Sequence, residues 1–221
     1  YPRHCAGIGT LPLQAPALLQ ALNAVLAHHD ALRSRFVETP AGWRAEVAPI
    51  AVDPELLWTA DNLSAAELQD LCAKAQCSLD LHNGPLLRAV LASMADGSQR
   101  LLLAVHHLAV DGVSWRILLE DLQRAYQQAS VGAAIKLPAK TSAYKAWGEH
   151  LQAYASTENV QAELTFWQQQ LQGAGVDLPW DNPQGSRQSR YAKVLHSRLD
   201  KILTQQLLQQ APAAYRTQVN D

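Results

Sequence analysis

The chain has no excess of basic residues: 18 Lys and Arg stand against 20 Asp and Glu, giving a net charge of −2 over 221 residues. A nucleic-acid binder needs a basic patch to neutralise phosphates, so this balance argues against that class of partner. Cysteine is scarce. Cys5, Cys72 and Cys77 form neither a CxxC pair nor an even-numbered framework. That pattern excludes a disulfide-stapled scaffold and fits reduced thiols in a cytoplasmic protein. Long apolar runs are missing too; the longest are about five residues, against roughly 20 needed to span a bilayer. No signal-peptide pattern opens the chain. It starts without Met and stops soon after a helical pattern, as a fragment of something longer would.

What is present is enough apolar residue, 48% against 17% charged, to bury a substantial core. Pro16 to His29 has the spacing of a helix, with Leu18, Leu19, Leu22, Val25 and Leu26 on one face. Leu32 to Glu38 and Trp43 to Val47 suit a hairpin around Thr39-Pro40-Ala41-Gly42. Asp53 to Ala60 gives no clear signal. Ser64 and Glu67 make a capping box for a helix to Ala75. Leu86 to Ala92 and Arg100 to Val105 fit antiparallel strands around Ala95-Asp96-Gly97. Later helices are expected after a cap at Thr141 or Ser142, with Tyr144, Trp147, Leu151 and Tyr154 on one side. Another is expected over Val160 to Leu171, with Leu164, Trp167 and Leu171 inward. Gly173 to Arg190 is loop-rich; Tyr191 to Leu199 suits a strand, and Asp200 a helix cap. Helices mixed with hairpins predict an α/β (α+β, mixed-sheet) fold.

The chain is organised around Leu101 to Leu122, LLLAVHHLAVDGVSWRILLEDL. A continuous apolar run suits a strand buried on both faces, here a central one. Two histidines follow, then Asp111-Gly112, where the regular backbone breaks. From Val113 the apolar residues recur at helical spacing through Ile117, Leu118 and Leu122. If the backbone is extended at His106-His107, one ring faces inward and the other toward a cavity. A neutral imidazole there is suited to general acid/base work. Asp111 can orient a histidine, or pair with an arginine such as Arg33 or Arg35 and hold the loop. HHxxxD is not a zinc spacing, so no metal is expected. Ser114 lacks a GxSxG elbow and suits a cap better than a nucleophile. Trp115 and Arg116 can line a tunnel or simply pack. His28-His29 sits at a helix C-terminus, where the dipole favours such side chains.

HHLAVDG (His106 to Gly112) resembles the HHxxxDG motif of the condensation-domain superfamily of nonribosomal peptide synthetases. HHDALRSRF (His28 to Phe36), LHNGPLLRAVL (Leu81 to Leu91), LPAKTSAYKAWGEHLQAYA and ELTFWQQQL resemble further segments of that superfamily, in order. The match runs from about Leu18 to Asp221, while Tyr1 to Ala15 departs from the family pattern. DGVSWRILLEDL, where condensation domains usually carry DGWS, and QAPAAYRTQVND are similar to epimerization domains.

The resemblance implies a chloramphenicol acetyltransferase-like lobe, with residues 1–172 as an N-terminal lobe, 173–190 as an inter-lobe linker and 191–221 as the start of a second lobe. It implies an isomerase that removes and returns the Cα proton of an aminoacyl or peptidyl thioester. His107 would be the catalytic acid/base. His106 would be the packed partner, Asp111 would hold the loop and Gly112 would allow its turn, with Ser114 and Trp115 in support. No cofactor would be bound directly; the substrate would arrive on the 4′-phosphopantetheine of a carrier domain, beside neighbouring synthetase domains. The opposing glutamate would fall after Asp221, so this chain alone is expected to be inactive or nearly so. The alternatives are a condensation domain forming amide bonds between carrier-bound substrates, and a non-catalytic remnant that docks a carrier.

Overall fold

The computed structural model describes residues 12–175 and 180–218. The short strand expected near Gly9 to Leu13 lies outside these residues except for Pro12 and Leu13, which are irregular. The described residues up to Gln161 form one compact unit and those from Ala162 a second.

The first unit is built on a three-stranded sheet. Helix α1 (Ala15–His28) places Pro16 in its first turn and buries Leu18, Ala21, Leu22, Val25 and Leu26. Strands β1 (Ser34–Thr39) and β2 (Gly42–Val47) pair antiparallel as a separate hairpin. Gly42 turns it with φ +110, a backbone conformation that side chains resist. The unassigned stretch after Asp53 is a 3₁₀ turn, Pro54–Leu56, running into strand β3 (Leu57–Leu63). Helix α2 (Ala65–Cys77) starts on the expected capping box: Glu67 N–H donates to the Ser64 hydroxyl, and Ser64 N–H donates to the Glu67 carboxylate. It connects β3 to strand β4 (Leu87–Met94), which runs parallel to β3; β4 then pairs antiparallel with β5 (Gln99–Val105).

Among the described residues the sheet order is β3-β4-β5. The histidines follow β5, which pairs with β4 among the described residues. The parallel crossover through α2 places β3 against one side of β4, with the hairpin strand β5 against the other.

Alternating residues of β4 and β5 feed two cores. Leu87, Ala89, Leu91 and Leu101 pack with α1 and with Leu118, Leu122 and Ala125 of helix α3 (Gly112–Ser130). Val90 and Leu102 pack with Ala75, Leu71 and Cys72 of α2. The sheet is therefore a middle layer, a mixed α/β arrangement. Fully buried Leu18, Leu22, Leu32, Leu56 and Leu86 each contribute about 1.5–3 kcal/mol. Cys72 is half-buried on α2, and Cys77 at its end is exposed.

Several later expectations do not hold. Helix α4 (Tyr144–Ala155) begins after Ala143, and neither Thr141 nor Ser142 caps it with a side chain. The helix simply starts one turn-position later than those hydroxyls can serve. In helix α5 (Glu158–Gln170), neither Leu164 nor Trp167 is buried, and Leu171 just beyond it is exposed. Periodicity identifies an apolar stripe, not what covers it. In the second unit, residues 192–200 form no strand. A strand needs a ladder partner, and none of the described residues supplies one. Asp200 does cap the following helix, accepting from Leu203 N–H at 2.8 Å. That helix runs as α6 (Lys201–Gln205), a π-helical segment Gln206–Gln210, and α7 (Ala211–Tyr215).

Arg88 is the one cation in the buried run of β4, at 7% exposure. It donates to the Glu55 carbonyl and to Ser78 Oγ (3.2 Å), and its guanidinium lies 5.1 Å from the Trp58 ring centre. It ties the entry of β3 and the end of α2 to β4. Arg88→Met keeps the apolar stem and leaves the Glu55 carbonyl without its donor. Urea unfolding of this variant is expected to show a stability loss of about 1–3 kcal/mol; an unchanged midpoint would show that Arg88 is not a tie.

Candidate functional site

Strand β5 ends at Val105, and helix α3 starts at Gly112. Between them the backbone is not extended: it folds into a turn over His107–Ala109. His106 N–H donates to the Leu86 carbonyl at 2.9 Å, the last bond fastening this strand to β4. Ala109 N–H returns to the His106 carbonyl at 2.9 Å and closes the turn. The His106 ring is half-buried, and its Nδ1 accepts from Leu108 N–H at 3.2 Å. With Nδ1 as acceptor, the proton of the neutral ring sits on Nε2. His107, next along, is exposed. Buried Val110 anchors the far end of the turn.

Asp111 is the N-cap of α3. Its Oδ1 accepts from Ser114 N–H at 2.8 Å and from Ser114 Oγ–H at 2.6 Å. These bonds hold its carboxyl below the usual aspartate value, the hydroxyl having the larger effect. The loop is thus held by helix capping rather than by an arginine. Arg33 is engaged elsewhere, donating to Leu26 O (2.8 Å), Ala27 O (2.7 Å), Ala48 O (3.1 Å) and Asp30 (2.8 Å). Ser114 sits one turn into the helix, so the cap is Asp111 and the serine is its donor. Gly112 stays out of the left-handed region, and a Cβ there would meet open space. Trp115 is half-buried and packs on the α1/α3 core. One short segment therefore carries His106, His107, Asp111, Gly112 and Ser114, with His107 exposed on the turn and the Asp111 carboxylate fixed by Ser114 at the start of α3.

The second histidine pair has a partner that the sequence did not suggest. His29 Nε2 lies 2.9 Å from Asp121 Oδ2, and Asp121 is only 6% exposed. The His28 ring meets His29 edge-on at 4.9 Å between centres. Burial holds the His28 imidazole below its ordinary value, with neighbouring His29 acting in the same direction. The pair does more than answer the helix dipole: it joins α1 to α3 across 92 residues. The sequence carried one sign of this. Asp121 interrupts an otherwise apolar stripe of Leu118, Leu122 and Ala125, and a buried carboxylate needs a partner.

The Asp111 cap gives a pH-dependent expectation. Its carboxyl is depressed in the fold, so its contribution is complete above about pH 4 and is lost as the pH falls through the folded value. Asp111→Ala should lower the melting midpoint at neutral pH by roughly 2–4 °C. Asp111→Asn, an equally good cap, should keep most of that stability and flatten the acid limb of the midpoint-against-pH curve. An unchanged acid limb would contradict the assignment.

The condensation-domain family profile matches residues 9–221, reaching further into the N-terminal segment than the motif resemblance does. A linear gramicidin synthase of Brevibacillus parabrevis is 42% identical over 220 residues, covering 95% of this chain and 4% of that protein. The epimerization domain from the third module of tyrocidine synthetase B has a similar structure, with a TM-score of 0.79 and 32% identity, covering 94% of this chain and 48% of that one. The first condensation domain of the calcium-dependent antibiotic synthetase shares the fold, with a TM-score of 0.62 and 23% identity over 78% of this chain and 42% of that one. The chain thus spans about half of the solved domains it matches, and a small part of the synthetases. Among the described residues no helix is long and apolar enough to cross a membrane. With its mixed α/β layers and its histidine turn between β5 and α3, the chain belongs to the condensation-domain family of nonribosomal peptide synthetases.

Proposed function

We propose that this chain is part of an epimerization domain, an isomerase acting at Cα of an aminoacyl or peptidyl thioester. The thioester is carried on the 4′-phosphopantetheine of a carrier domain in the same synthetase. The observation that carries this reading is the likeness to a solved epimerization domain, at 32% identity over 94% of the chain. The epimerization-like helix sequence DGVSWRILLEDL supports it.

In this reading His107 is the catalytic acid/base, because its ring reaches solvent from the turn while the His106 ring is held by Leu108 N–H. A thioester acidifies its α-C–H. His107 takes that proton, the electron pair passes into the enolate, and protonation on the opposite face by a second group inverts the centre. The enolate needs electrostatic stabilisation through this step. Asp111 and Ser114 position the turn by fixing the start of α3, and His106 fixes its entry. The activity is proposed for the domain as a whole.

The family profile itself favours a second reading, amide formation between two carrier-bound substrates, with His107 acting on the attacking amine. The two readings separate in one assay. A domain containing this chain is given a carrier loaded with an aminoacyl thioester in deuterated water, with and without a second loaded carrier. Epimerization predicts deuterium at Cα and no new amide, and His107→Ala should slow exchange by about 10²–10⁴-fold. A new amide without Cα exchange would overturn the proposal, and full exchange by His107→Ala would remove His107 from the role.

A further inference from the structure

We propose that His28, His29 and Asp121 form a binding site for one divalent transition-metal ion of the zinc class, clamping the end of α1 to the middle of α3. One ligand atom from each residue lies within 4.8 Å of the others. Imidazole nitrogen with carboxylate oxygen is a donor set that suits zinc and its neighbours, and three protein ligands leave one position for water.

The backbone explains why two adjacent histidines can serve one ion. Within a helix, neighbouring side chains diverge by about 100°. Here α1 ends at His28, and His29 is already extended, with φ −94 and ψ 102, so the two rings come together edge-on. Asp121 comes to them from α3 and is buried among Leu118, Leu122 and Ala125. His29 Nε2 and Asp121 Oδ2, 2.9 Å apart, need to separate by only a few tenths of an ångström. Tetrahedral ligands on bonds of about 2.0–2.1 Å are roughly 3.3 Å apart. The ion takes the place of the shared hydrogen: the proton of neutral His29 moves from Nε2 to Nδ1, and Nε2 becomes the ligand.

Nearby charges leave room for a cation. The Lys140 ammonium acts on His28, and its Nζ is paired with Asp30 at 3.1 and 3.3 Å. Asp30 also accepts from Arg33 at 2.8 Å, so it is occupied and is not a fourth ligand. The site is separate from the histidine turn. Asp121 lies ten residues along α3 from Asp111, about 15 Å along the helix axis. Its role is to set the α1–α3 packing on which the position of that turn rests, and it holds whichever reaction the domain performs.

Cobalt(II) is the probe, titrated into the metal-free chain and followed by its visible ligand-field bands. The wild-type chain should take one equivalent with a four-coordinate spectrum, and zinc should displace it. A hundredfold excess of zinc over its Kd should raise the melting midpoint by roughly 5–10 °C. His28→Ala leaves the His29–Asp121 bond intact, so its metal-free midpoint should stay close to wild type while its cobalt affinity falls at least tenfold. Asp121→Asn should lose affinity likewise, and His107→Ala should keep it. No cobalt binding at micromolar concentration, binding unchanged in His28→Ala, or binding lost in His107→Ala would each overturn the site.

Discussion

The fold around the histidine turn depends on one constraint: β5 must stay fastened to β4 up to its last residue while α3 begins a few residues later on a different packing surface. The His106 N–H to Leu86 carbonyl bond fixes the first half of that requirement. The Asp111 cap fixes the second. Between them the chain has room for a single tight turn, closed by Ala109 N–H on the His106 carbonyl. Within HHLAVDG, hydrogen bonds thereby place His106, Leu108, Ala109 and Asp111, and burial places Val110. The polarity at the end of a buried strand is not wasted: His106 satisfies a backbone donor, Asp111 satisfies the helix start, and His107 is left facing solvent.

The same constraint links the site to the core. α3 can begin at Gly112 only because Leu118, Leu122 and Ala125 seat it against α1 and the α1-facing side of the sheet. The His29–Asp121 pair lies in that contact, between two helices whose relative position sets where the turn projects. A polar pair there gives the packing a specific register, which the apolar residues alone do not, since Leu and Ala surfaces tolerate sliding.

Local features of the sequence were legible where the signal was short-range. The capping box at Ser64, the hairpin around Asp96-Gly97, the strand–turn–helix order at Leu101 to Leu122 and the cap at Asp200 all follow from residues within a few positions of one another. What was not legible required partners far along the chain. β3 lacks a clean alternation because Trp58 and Asp61 interrupt it, and its strand character comes from pairing with β4. Asp111 was left between orienting a histidine and pairing with an arginine, and the structure places its carboxylate on Ser114, three residues away. Asp121 and His29 are 92 residues apart, and only the buried setting of the carboxylate hinted at a partner. In α4 and α5 the apolar stripes were correctly placed on helices, but their burial was not readable from periodicity.

An imidazole positioned to move a proton at a thioester α-carbon is the central claim, and its most direct test is the approach to equilibrium from both sides. Carriers loaded with the L and with the D form of one aminoacyl thioester are incubated separately with the domain in deuterated water, and the configuration is read after release from the carrier. Both samples should converge on one L/D ratio, with a deuterium at Cα of every inverted molecule. Retention of each starting configuration, with hydrogen still at Cα, would contradict the claim.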